Sequence, residues 1–365
     1  MAFKKKRGKS APVRPQAGPR PRSGSAPEAR TPEPDPVDDL VDDLVQPQEE
    51  VGDVPPLRLW DVPEPAPLPG PASPRRQGET LTDADRRSVN YQRDMEFFQA
   101  LWEVYYDASG ARDRSMSESM LYGLMSTDDP LQEADYLRVP LEEGSIAALA
   151  SLGLRNKSFV TFPQDNPDLQ QAAAAGDYFH VANLQHTFDP GRNARRMRRL
   201  AVNVRTQEAA LSLTAGLTTL FADEEVGPYF EKVKVFLSEA PAESPVKTDK
   251  LVLYYLTADD AQDGGPDVVG DRLLAAINSM LPPDQAVMLT SPFYSRVAEA
   301  VTWAEDAQHF MPGAEGMSFT DTRASLIREI LDTDEAMPNA AALAEAVFDA
   351  FDVAGIPWNQ RHRHS

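Results

Sequence analysis

The chain has 365 residues, with 36 Lys and Arg against 57 Asp and Glu, a formal charge of -21, 32 prolines and no cysteine. That length accommodates one large domain or two ordinary ones with a sizeable core. The lack of Cys excludes a disulfide scaffold, a thiolate zinc site and a cysteine nucleophile. The acidic balance argues against nucleic acid held over the whole surface. No run approaches the roughly 18 to 20 apolar residues of a membrane span, and no apolar stretch follows the basic run Lys4 to Arg7, as a secretory signal would require. The expectation is a soluble, cytoplasmic protein with neither a membrane nor a nucleic-acid partner.

Seventeen prolines fall in the first 80 residues. Large apolar side chains are few there, so burial cannot offset chain entropy and residues 1–80 read as a disordered arm. The arm is split by sign: residues 1–30 carry a net +8 and residues 31–66 a net -10. Within it Val37-Asp38-Asp39-Leu40 repeats as Val41-Asp42-Asp43-Leu44, a short amphipathic pattern suited to docking. A folded body begins near Thr82, whose hydroxyl and following acids suit a helix start. Phe97, Phe98, Leu101, Trp102, Tyr105 and Tyr106 then recur at helical spacing. Further helical pieces are expected at 117–126 and 142–152, then a turn at Gly153 and a linker through Pro163 and Pro167. Residues 81–170 thus read as a mainly helical subdomain.

From there the texture is mixed. Strands are expected at Tyr178 to Leu184, Arg199 to Val204, Tyr229 to Leu237 and Lys250 to Leu256, where β-branched and aromatic residues concentrate. Thr206 caps a helix reaching Phe221, and helices follow at 267–280, 319–332 and 339–352. Strands and helices interleave irregularly, which predicts an α+β fold over 171–355: a mixed or antiparallel sheet covered by helices. Residues 356–365 are expected to form a flexible C-terminus.

Several chemistries fail at once. The chain has no G-x-S-x-G elbow, glycine-rich dinucleotide loop, P-loop or H-E-x-x-H. Its five histidines, His180, His186, His309, His362 and His364, show no metal-ligand spacing, so neither a metal nor another cofactor is expected. What stands out is a set of bases in or beside strands of an acidic body. Lys232 and Lys234 alternate and so share one face. Arg198 and Arg199 enter a strand, Lys247 and Lys250 flank Asp249, and Arg323 sits where a helix start already favours an anion. His180 lies inside the strand DYFHVAN. These residues form either a solvated sheet face with a structural His, or a cleft that collects a phosphate.

Four pieces in order, Arg199-Leu200-Ala201-Val202-Asn203, Lys232-Val233-Lys234, Lys247-Thr248-Asp249 running into Val252 and Tyr254, and Ser318-Phe319-Thr320 with Arg323, resemble the type III effector HopA family. The resemblance spans about 170 to 335. Ala201, Lys247 and Thr320 depart from that family's Tyr, Arg and Gly. Actinobacterial relatives are the lyase component of class V lanthipeptide synthesis, the LanY type. Asp177-Tyr178-Phe179-His180 also resembles the D-K-F-H strand of phosphothreonine lyases such as OspF and SpvC, with Tyr178 in place of the Lys. The resemblance implies elimination of phosphate from a phosphorylated precursor peptide, delivered by a separate kinase, with neither metal nor cofactor. Lys234 is the candidate base, because its sheet position can hold it beside Arg or Lys neighbours that lower its pKa; the lyase likeness implies His180 as the acid, and Arg199, Lys232, Lys247, Arg323 and Tyr178 are the candidate phosphate or substrate contacts. The alternatives are a non-catalytic effector-like binding protein and a kinase partner docking through its arm.

Overall fold

The computed structural model describes residues 89–112, 117–188, 197–242, 245–258, 267–306, 317–333 and 336–364. The expected disordered arm at 1–80 lies outside them. The described elements, in chain order, are α1 (Val89–Tyr105), α2 (Glu118–Ser126), α3 (Pro130–Leu137), α4 (Ser145–Asn156), β1 (Phe159–Pro163), α5 (Leu169–Ala175), β2 (Asp177–Asn183), β3 (Met197–Val202) and α6 (Gln207–Thr218). They continue as β4 (Phe230–Leu237), β5 (Leu251–Leu256), α7 (Val268–Met280), β6 (Ser295–Arg296), β7 (Val301–Glu305), α8 (Phe319–Leu331) and α9 (Ala340–Val353). Seven strands pair in the order β1-β2-β4-β5-β3-β7-β6, and every pairing is antiparallel. This is the α+β class expected. No described helix is long and apolar enough to cross a membrane.

Alternation along the strands sorts the side chains. Phe179, Val181, Val233, Val235, Leu253 and Leu200 point to one face and are buried with Leu213 and Leu217 of α6 and Leu273 and Ile277 of α7. The opposite parity carries the charged residues. Part of that second face is closed by α1, α2, α8 and α9, whose Phe98, Leu121, Phe319 and Phe348 pack with Ala201 of β3 and Ala304 of β7. Small residues on β3 and β7 let the helices approach closely. The β2–β4 part of the face is left for the charged side chains.

Local chemistry accounts for the boundaries. The Thr206 hydroxyl accepts from Ala209 N and starts α6. Ser318 and Asp321 form a reciprocal capping box on α8. Gly176, at φ 82°, turns the chain from α5 into β2, where a Cβ would press on the Ser238 side chain.

Two expectations need correction. Residues 81–170 are not a separate helical subdomain. Their linker through Pro163 contains β1, which pairs with β2, and α1 and α2 pack on α9 and α8 from the far end of the chain. The C-terminus is packed rather than loose. Ile356, Trp358, Arg361 and His364 are buried, Arg361 Nε pairs with Asp94 at 2.5 Å, and Glu305 N donates to the His362 carbonyl, so the segment continues beyond β7. A run of Arg and His reads as solvated, yet buried carboxylates and carbonyls take up its donors.

Candidate active-site cleft

Register brings the predicted bases together. His180 of β2 lies opposite Lys234 of β4, and Ala182 opposite Lys232. Lys232 in turn faces Tyr254 of β5, which faces Arg199 of β3. One row across the sheet thus runs Lys232, Tyr254, Arg199, with His180 and Lys234 in the row beside it.

Lys234 is the least compensated of these charges. Its side chain is buried, the residue retaining 9% exposure, and Nζ stands 3.9 Å from the centre of the Tyr178 ring. Among the described residues its amine meets no hydrogen-bond or ion-pair partner. Burial lowers its pKa below the ordinary lysine value; Asp249 opposes the shift and Arg199 adds to it. Tyr178 is buried and donates to Asp249 Oδ1 at 3.2 Å, so it presents its ring, not its hydroxyl, to the amine. Burial, then Asp249, pushes its phenol well above the usual range.

His180 stacks on Phe162 of β1 at 5.2 Å with the planes 14° apart. Its Nε2 lies 3.3 Å from Gln164 Oε1. Burial, then Lys232 and Lys234, lowers its pKa to about 4, which leaves the ring neutral at pH 7. Lys232 pairs with the adjacent Glu231 at 3.1 Å and lies 4.9 Å over the Tyr254 ring.

The remaining predicted contacts divide. Arg199 donates to Asp306 Oδ2 at 2.6 Å and lies over the Tyr254 ring, while its buried Nε meets no partner among the described residues. Lys247 is half-buried beside Tyr122, with its pKa lowered by burial against the pull of Asp249. Arg323 does not reach the cleft surface. It is 0% exposed, stacks 3.7 Å over Phe319, and donates to the Arg361 carbonyl at 2.8 Å, with His364 Nε2 at 3.1 Å. The C-terminal segment holds it in place.

Sequence reasoning did not find Gln164 beside His180, Tyr122 beside Lys247, or Tyr294 and Asp306 on Arg199. They come from loops and helices far along the chain, and no local pattern marks them. Lys250 beside Asp249 is also different in kind: it is 0% exposed, with Nζ 2.5 Å from Asp128 Oδ2 and 2.7 Å from Asn203 Oδ1. Among the described residues no group of three or more His, Cys, Asp or Glu is placed to hold a metal ion.

No family model matches this chain, and no curated protein matches it. Among solved structures it is similar to the effector protein from Pseudomonas syringae pv. syringae, with 18% identity and a TM-score of 0.50 over 75% of this chain and 98% of that one. A second, the effector protein from Pseudomonas syringae pv. tomato, has 16% identity and a TM-score of 0.48 over 74% of this chain and 96% of that one. At these identities the likeness is one of fold.

Proposed function

We propose that the chain is a HopA-type phosphoserine/phosphothreonine lyase that works without a metal or other cofactor. Its substrate would be a precursor peptide phosphorylated by a separate kinase, and its product the dehydroalanine or dehydrobutyrine peptide of lanthipeptide synthesis. The observation that carries this reading is the buried, unpaired amine of Lys234 directly opposite His180. Burial without a carboxylate at contact distance lowers a lysine's pKa, as it does for Lys234 against the pull of Asp249, and this suits a base for a Cα–H bond.

The steps balance without a redox partner. The Lys234 lone pair takes the Cα proton, the C–H electrons become the Cα=Cβ bond, and the Cβ–O bond breaks toward phosphate. Lys232, and Arg199 from behind Tyr254, stabilise the departing charge. His180 needs a proton to act as acid. A phosphate dianion beside it favours the imidazolium, as does loss of the Lys234 charge, so substrate binding and base activation drive the pair toward the working protonation states. Arg323 acts through Phe319 and the α8 N-terminus in this reading.

Mass spectrometry of a phosphothreonine peptide incubated with the chain tests the proposal. Loss of phosphoric acid, abolished in Lys234→Ala, supports it; an intact peptide even with cognate precursor and kinase present overturns it. The rate should rise with pH along a limb below the ordinary lysine value of 10.5.

A second reading is a non-catalytic effector-like or kinase-binding protein. It is favoured by the inward commitment of Arg199 and Arg323 and by Tyr178 at the lyase Lys position. Tight phosphopeptide or kinase binding without turnover would establish it. The repeat at residues 37–44, the arm's docking candidate, lies outside the described residues.

A further inference from the structure

The cationic row borders an apolar strip on the same face. Phe162 of β1 lies opposite His180, and Val160 opposite Ala182. Leu184 continues β2 by donating its N–H to the Ser158 carbonyl. Phe162 is 43% and Leu184 52% exposed, and what sets them apart is that they adjoin on the face that carries the cations. The other face of the same two strands is buried: Phe159, Phe179 and Val181 all lie in the core. The strip is therefore uncovered on one side only, the side on which Lys232 and Lys234 stand.

We propose that Phe162, Ala182 and Leu184 form a subsite for an aliphatic or aromatic side chain of an extended phosphopeptide whose phosphate sits on the Lys232 and Lys234 amines of β4. This rests on the phosphopeptide reading above and adds the substrate's sequence preference. The occupant follows from continuity. Cations and apolar surface lie side by side on one open face, so one ligand that carries both an anion and an apolar group satisfies both. Sheet geometry sets the spacing. Strands lie about 4.8 Å apart, so β1 is about 10 Å from β4, and an extended peptide rises about 3.3 Å per residue. An apolar residue two or three positions from the phosphorylated residue would reach the strip. Phe162 is then a specificity-determining residue that also holds the His180 ring in its stacked orientation.

The test is fluorescence anisotropy of full-length chain with labelled phosphothreonine peptides of Ser and Gly, in which a single Leu is moved through each position from four before to four after the phosphothreonine. Binding at two or three residues' distance on one side should tighten about tenfold over the Leu-free phosphopeptide. In Phe162→Ser and Leu184→Ser that preference should fall toward one, while Phe162→Tyr retains it. Equal affinity for all Leu positions, or a preference that survives both Ser variants, overturns the subsite. The elimination assay is a separate readout: positional preference without turnover leaves the subsite standing and removes the lyase, whereas turnover without preference does the reverse. No detectable phosphopeptide binding overturns the subsite.

Discussion

Two lysines on adjacent strands are buried on the same face of the sheet, and they are treated in opposite ways. Lys250 enters β5 with Asp128 and Asn203 on its amine. Lys234 in β4 has the Tyr178 ring and, among the described residues, no such partner. Both amines have their pKa lowered by burial first, and for Lys250 Asp128 opposes that shift at contact distance. A buried ion pair is costly to break and contributes little net stability when whole. A buried amine without a pair is a liability for folding and an asset for chemistry. The Lys250 end of the face is a joint between sheet and helices; the Lys234 end is the part to which the proposed function assigns the chemistry.

The sharpest way to test that division is to remove each amine's distinguishing feature. Lys234→Ala should lower phosphate elimination by about 10²- to 10⁴-fold, the range for loss of a general base, with the unfolding midpoint in urea unchanged or raised. A matching loss of stability would make Lys234 structural. Asp128→Ala leaves Lys250 charged in the interior with Asn203 but no counter-charge on its amine, and should cost about 3–5 kcal/mol in urea unfolding. The double change Asp128→Leu with Lys250→Met should recover most of it, and failure to do so would mean that the pair fixes more than its own charge.

Acidification comes next in size. Burial, helped by Lys232 and Lys234, holds His180 at about 4. Burial, then Arg323, lowers His364 further. A histidine whose folded pKa is depressed takes up its proton only on unfolding. Its contribution is complete above the ordinary value of 6.5 and is lost as pH falls toward 4. Tm should therefore drop between pH 7 and pH 5, and His364→Gln should flatten that slope; an unchanged slope would show that the tail histidine already carries its proton. The smallest effect belongs to the partly exposed pair Lys232–Glu231. Glu231→Gln should change stability by less than about 1 kcal/mol in the same urea titration, because the two residues are sequence neighbours whose attraction persists in the unfolded chain.

The strands that build the cleft were legible because their side chains alternate. Lys232 and Lys234 had to share a face, and the structure puts His180 beside them. β1 was not legible: FVTFP is five residues ending in proline, and it looks like linker until β2 is there to pair with. The short β6 and β7 carry the same difficulty. Charge partners were the other blind spot. Asp128 reaches Lys250 across 122 residues, and Asp94 reaches Arg361 across 267, so composition shows bases and acids without showing which are already taken. Arg323 was recognised as a cation at a helix start, but its cover of backbone carbonyls from the C-terminal run has no signature in a sequence.

The two rims of the sheet bear on how the protein behaves at high concentration. An open seven-stranded sheet invites lateral growth, since each outermost strand exposes unpaired amides to any neighbour. Here β1 terminates in Pro163, whose ring has no hydrogen to donate, and β6 is only two residues long. Both rims are blunted against edge pairing, β1 by its terminal proline and β6 by its length. The fold can therefore keep a row of buried charge and an exposed apolar strip close to its margin without seeding fibrils there.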